Sequence, residues 1–138
     1  MYDNILVPTD GSEGADRAVD YALELAELSD SKIHILFVID EMIYEHPWVG
    51  ENLDFEAMEE AAKDDMRDMI HRATEKDLES VAKVKVGYPP DEIIEYAEEK
   101  DIDIIVMGYH GEGGAEEHLI GGTTKKVLSN SKIPVLPV

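Results

Sequence analysis

The sequence predicts an α/β domain with a doubly wound parallel sheet. Three observations predict it. Short, nearly continuous apolar runs recur along the chain, as in strands buried on both faces. Segments with helical apolar spacing alternate with them. Glycine-bearing loops follow the first and fourth runs, where such sheets place their ligands. The 138 residues are enough for one domain with a real core. No Pro/Gly/Ser-rich linker, repeat or low-complexity tract divides residues 1–138, so a single domain is expected.

The elements follow in order. Asn4–Pro8 is the first strand. Ser12 is placed to cap the next helix, with Glu13 and Asp16 in its first turn, where carboxylates suit the helix dipole. Ala15, Ala18, Val19, Ala22, Leu25 and Ala26 share one face, and Ser29-Asp30-Ser31 ends the helix. Lys32–Ile39 is the second strand, followed by a long loop over 40–54 with Pro47 and Trp48. Phe55, Met58, Ala62, Met66, Met69, Ile70 and Ala73 form the stripe of a longer helix. Val81–Val86 alternates, with Lys83 and Lys85 on one face. Lysines protect sheet edges, which places this third strand at an edge. Gly87 to Pro90 turns into a third helix with Ile93, Ile94 and Ala97 inward, and Tyr88 packs the turn. Asp103–Met107 is a buried fourth strand, a helix spans Thr123–Ser129, and Pro134–Val138 is the last strand. The pattern βαβαβαβαβ predicts a five-stranded parallel sheet with helices on both faces. With strand order 3-2-1-4-5 the first and fourth strands meet where the order reverses.

Composition excludes several classes. Thirty-two acidic against twelve basic residues give a net charge of −20, a surface that repels nucleic acid and anionic membrane. The acids are spread through helices, as between Phe55 and Asp77, which reads as a solvated face adapted to high salt. No apolar run is long enough to cross a bilayer, and the opening MYDNILVPTDGS has no secretory pattern, so the expected compartment is the cytoplasm. Without cysteine there are no disulfides or thiolate metal sites. No metal-ligand spacing joins His110, His118, Glu112 or Glu117, no metal site is expected, and His34, His46 and His71 read as incidental.

The chemistry is carried by two segments. Ile104-Ile105-Val106-Met107-Gly108-Tyr109-His110-Gly111 runs from strand into loop, and Gly121-Gly122-Thr123-Thr124 opens the following helix. Glycines let backbone N–H groups approach a ligand, and a helix start attracts anions, so the arrangement reads as a phosphate cradle. Gly113 and Gly114 read as loop glycines. There is no Gly-x4-Gly-Lys-Ser/Thr and no third glycine of a dinucleotide fingerprint. Val86-Gly87 lacks the acid a phosphotransfer receiver needs after its third strand. A flavin carrier using Thr9-Asp10-Gly11-Ser12 would be yellow when purified. No catalytic residue can be argued from spacing, and nothing supplies an evident general base for hydrolysis.

With Ile5-Leu6-Val7-Pro8-Thr9-Asp10-Gly11-Ser12-Glu13, Val38-Ile39-Asp40 and the closing Pro134-Val135-Leu136, the whole chain resembles the universal stress protein family of flavodoxin-like domains. Gly108, Gly111 and Gly121 match the Gly-x2-Gly-x9-Gly-Ser/Thr loop of its ATP-binding branch. The resemblance implies adenine and ribose against Pro8, Thr9, Asp10, Val38 and Met107, with Asp10 bonding a ribose hydroxyl or the adenine edge. It implies phosphates near Gly108, Gly111, Gly121, Gly122, Thr123 and Thr124, and a divalent cation, Mg2+ or Mn2+, bound through them. ATP is the implied nucleotide, with ADP and AMP as alternatives. A homodimer through the C-terminal strand is implied too, with at most very slow ATPase activity. Two positions depart from the pattern: Gly122 stands where the family has Ser or Thr, and Glu112 where it is often basic. Glu116 and Glu117 add further charge to the loop. The alternative is an interaction protein of the same family that has lost ATP binding.

Overall fold

Five parallel strands in the order β3-β2-β1-β4-β5 form one sheet in a computed structural model that describes residues 2–42, 55–109 and 121–138. The strands are β1 (Asn4–Thr9), β2 (Lys32–Asp40), β3 (Ser80–Gly87), β4 (Ile104–Met107) and β5 (Val135–Pro137). The helices are α1 (Glu13–Ser29), α2 (Phe55–Glu75), α3 (Pro89–Glu99) and α4 (Gly122–Asn130). Strand order and element order agree with the sequence reading, and bounds differ by one or two residues, the scatter expected at element ends. Asp40 closes β2 instead of opening a loop, because its register partner Gly87 extends the ladder and the Gly87 carbonyl accepts from Glu41 N–H.

Two cores flank the sheet. On one face α1 and α2 pack Val19, Leu23, Met66 and Met69 against Ile5, Val7, Ile33, Ile35 and Val106. On the other, α3 and α4 pack Ile93, Tyr96, Ala97 and Val127 against Leu6, Leu36, Ile105 and Met107. β1 is buried from Ile5 to Thr9, as a central strand must be, and the apolar run that predicted it follows from burial on both faces. Leu23, absent from the predicted α1 face, is fully buried, while Leu25 is only partly so. Ser12 caps α1 as expected, its Oγ accepting from Ala15 N–H at 3.2 Å. The helix ends where Asp30 turns left-handed at φ 52°.

Helix pairs are tied by charge as well as by packing. Arg72 of α2 donates to Asp16 at 2.6 Å and Asp20 at 3.0 Å on α1, and lies 3.7 Å from Asp68. Lys76 pairs with Glu27 at 2.6 Å. In so acidic a chain these cations offset repulsion between neighbouring helices.

Candidate functional site

β1 and β4 lie side by side, Ile5 opposite Ile104 and Leu6 opposite Ile105. From β1 the order runs to β2 and β3 on one side and to β4 and β5 on the other, so the topological switch falls between β1 and β4. The carboxyl ends of these two strands present Thr9-Asp10 and Met107-Gly108 side by side. Pro8, Thr9 and Met107 are buried, Val38 and Gly108 partly so, and Asp10 is exposed. Val38 and Met107 both belong to the core that α3 and α4 cover. Gly111 lies outside the described residues, as do His110, Glu112, Gly113, Gly114, Glu116, Glu117 and His118. His46, Pro47 and Trp48 do as well.

The turn after β1 is held by its own side chains. Gly11 N–H donates to Thr9 Oγ1 at 3.1 Å, and Ser12 N–H donates to Asp10 Oδ1 at 2.9 Å. Gly11 sits at φ 82°, a left-handed conformation that glycine adopts without strain. This turn holds Asp10 exposed at the strand end, with Oδ1 folded back onto the residue that caps α1.

The second loop is closed at its base. Thr124 Oγ1 donates to the Gly108 carbonyl at 2.8 Å, which pins the first turn of α4 to the end of β4. Gly121 N–H donates to Tyr109 O at 2.8 Å. Gly121 is the N-cap of α4 and has no side chain to cap it, so among the described residues no side chain caps the first-turn N–H groups. A helix start of this kind, at the switch point, suits an anion. Thr124 is buried with its hydroxyl proton committed to Gly108, so it serves the site by fixing the helix, whereas Thr123 is half-buried.

The three described loop glycines differ physically. A Cβ on Gly108 would meet Gly14 C at 2.7 Å and Gly14 O at 2.8 Å, so close packing of β4 against the start of α1 already requires glycine there. A Cβ on Gly122 would meet nothing within 4 Å. Gly121 occupies the N-cap.

A cleft of about 370 Å³ opens beside Gly11, lined by Ser12, Glu13, Asp16, Asp64, Asp65, Asp68 and Met69. Its carboxylates make it a poor place for a phosphate. Among the described residues no group of three His, Asp or Glu is placed to hold a metal ion. On the α4 side, Lys126 Nζ donates to the Tyr88 hydroxyl and lies 5.0 Å from the centre of its ring. That hydrogen bond, with the fields of Tyr88, Asp40 and Asp91, raises the lysine pKa. Tyr88, expected to pack the turn, thus carries a cation at the start of α3. Nothing in the local sequence pairs the two residues.

His34 corrects the reading that it is incidental. It is buried in β2, its Nδ1 lies 2.8 Å from the Tyr96 hydroxyl, and its Nε2 lies 3.0 Å from Asn4 Oδ1. His71, by contrast, is exposed and 3.0 Å from Glu75 on the same helix.

A doubly wound parallel sheet with Gly11 after β1 and Gly108 after β4 at its switch point defines the α/β class whose members bind ligands at that place. The profile of the universal stress protein family matches residues 1–138, and the chain belongs to that family of stress-response proteins. It is 35% identical to universal stress protein MJ0577 of Methanocaldococcus jannaschii over 154 aligned residues, covering all of this chain and 95% of that one. Universal stress protein MJ0531 of the same organism is 31% identical, over all of this chain and 82% of its own. A solved structure of MJ0577 superposes with a TM-score of 0.89 at 34% identity, covering 100% of this chain and 96% of that one. A universal stress protein solved in complex with cAMP superposes with a TM-score of 0.71 at 28% identity, covering 99% of this chain and 96% of that one.

Proposed function

We propose that the protein is an adenine-nucleotide-binding stress regulator that acts as a homodimer. The observation that carries this reading is the meeting of Thr9-Asp10, Met107-Gly108 and the uncapped start of α4 at one switch point. The cAMP complex of a structural relative supports an adenine ligand for this outline. Pro8, Thr9, Val38 and Met107 would flank the base and ribose, and Asp10 would accept from a ribose hydroxyl or the adenine edge. Gly108, Gly111, Gly121, Gly122 and Thr123 would bring backbone to the phosphates, with Thr124 behind them. ATP is the favoured nucleotide, with ADP and AMP as alternatives. Mg2+ or Mn2+ would be held through the phosphates rather than by a cage of side chains. That cation would neutralise phosphate charge beside the acidic cleft. The sequence supplies no evident general base for hydrolysis, so turnover would be very slow at most.

The charge of −20 suits a cytoplasm of high salt, and neither nucleic acid nor membrane is a partner this surface would attract. No helix of the described residues is long and apolar enough to cross a membrane. Among the described residues β5 pairs with β4 on one side only, and its other edge suits pairing with a second copy. Pro137 removes one donor and keeps that ladder short. Light scattering at micromolar concentration should find twice the 15.4 kDa chain mass, and a monomer alone would remove the dimer.

Calorimetry with ATP and Mg2+ tests the nucleotide. Asp10→Ala should weaken binding by about 1–3 kcal/mol, the usual cost of losing a charged hydrogen-bond partner. Gly122→Ser and Glu112→Lys should each tighten it, and the Glu112→Lys gain should shrink at high salt while the short-range Gly122→Ser gain persists. The second reading, an interaction protein that has lost ATP binding, is favoured by Gly122, which lacks the hydroxyl that Ser or Thr would place at that position. It replaces the first if neither wild type nor either variant binds nucleotide.

A further inference from the structure

The second core contains one polar chain that the candidate site does not use. His34 sits in register between Leu6 of β1 and Val81 of β3. Its ring meets Tyr96 of α3 edge-on, with centroids 5.7 Å apart. Asn4 opens β1, donates its N–H to Asp103 Oδ2 at 2.9 Å, and accepts from Asp103 N–H at 2.9 Å. One hydrogen-bonded chain therefore fastens α3 to β2, β2 to β1, and β1 to the start of β4.

The chemistry of this chain fixes the protonation state of the ring. Asn4 Oδ1 only accepts, so Nε2 carries the proton and Nδ1 accepts from the Tyr96 hydroxyl. A second proton would make both nitrogens donors. The Tyr96 hydroxyl would then have to place its own proton within the core it shares with Leu6, Leu36, Ile93, Ala97 and Ile102, whose side chains offer no acceptor. Tyr96 is 2% exposed, so water does not supply one.

We propose that the Asn4–His34–Tyr96 chain is an acid-sensitive fastener, and that proton uptake by His34 loosens α3 from the sheet. The surroundings support it. In a chain dominated by carboxylates, the fields at this ring come from Lys32 and Lys100, opposed by Glu79. Burial first, then those two lysines, holds the native ring down at about 4. From α3 and the neighbouring β3, Lys85 lies 5.8 Å from the Tyr96 ring centre and 3.7 Å from Glu92, which adds no acceptor at the imidazole. The unfolded ring takes its proton near 6.5, so stability is complete above that value and is lost as pH falls from there toward about 4. The loosened helix also covers Met107 and packs beside Val127 of α4, so its release reaches the end of the sheet where the loops converge.

Hydrogen exchange of the intact protein, read by mass spectrometry and corrected for intrinsic rates, tests this. Between about pH 7 and about pH 5, α3 amides should lose ~20-fold in protection, because opening exposes a ring that then binds a proton. α1, on the opposite face, should lose far less. His34→Gln should abolish the difference between the two helices. Tyr96→Phe should lower α3 protection already at pH 7 and flatten its pH dependence, which keeps the test intact if His34→Gln does not fold. Equal losses in α1 and α3, or a native His34 ring that titrates at its ordinary value by NMR, would overturn the proposal.

Discussion

Two glycines at the candidate site should respond oppositely to a single methyl group. In Gly108→Ala the new Cβ lands 2.7 Å from Gly14 C, 2.8 Å from Gly14 O and 3.1 Å from Ala15 N. All three are backbone atoms of the first turn of α1, which Ser12 caps and the core below holds in place. Ordinary contact begins at 3.4 Å, so β4 or α1 must move by about 0.7 Å. Overpacking of that size costs about 2 kcal/mol. For a chain of this length that lowers Tm by about 6–8 °C. In Gly122→Ala the Cβ meets nothing within 4 Å, and the residue has ordinary helical φ in the first turn of α4. Removing the glycine's excess backbone freedom should stabilise the helix by ~0.5–1 kcal/mol, a rise of about 2–4 °C. Thermal unfolding of the two variants without ligand, followed by circular dichroism, measures both. A Gly108→Ala protein melting with wild type would refute the close approach of β4 to α1. A Gly122→Ala protein that melts lower would refute the open space above α4. The comparison also separates roles: nucleotide binding by a Gly108 variant reports on folding and contact together, while a Gly122 variant reports on contact alone.

The other expectations concern charge. With −20 on 138 residues, Tm should rise substantially between about 0.01 M and about 1 M salt, as the screening length falls from ~30 Å to ~3 Å; a flat Tm would refute self-repulsion as the destabilising force. Arg72→Met leaves Asp16, Asp20 and Asp68 facing one another without their shared cation. These carboxylates are more than half exposed, so the loss should be about 1 kcal/mol at low salt and should nearly vanish at ~1 M; an equal loss at both would point to packing of the arginine stem instead.

Much of the architecture was legible because it is written locally. Apolar runs such as Ile5 to Val7 mark strands covered on both faces, Ser12 marks a helix start, and Lys83 on the third strand marks an edge. The site's outline was legible for the same reason, since Asp10 and Gly108 each follow a strand directly. What was not legible depends on partners distant in sequence. His34 looked incidental because Tyr96, which binds its ring, lies 62 residues away. Arg72 meets Asp16 across 56 residues and Lys126 meets Tyr88 across 38, and no periodicity records either meeting. The packing need for glycine at 108 was not legible either, because the sequence does not show that Gly14 passes beside it.

The closed base of the second loop has a further consequence. Thr124 Oγ1 to Gly108 O and Gly121 N to Tyr109 O join the chain on either side of residues 110–120. The two ends are set by the fold rather than by whatever connects them. A change made between those two ends therefore leaves in place the bonds that join β4 to α4. A reporter peptide or a fluorescent domain spliced there should be carried by an intact fold, with its attachment points beside the candidate site.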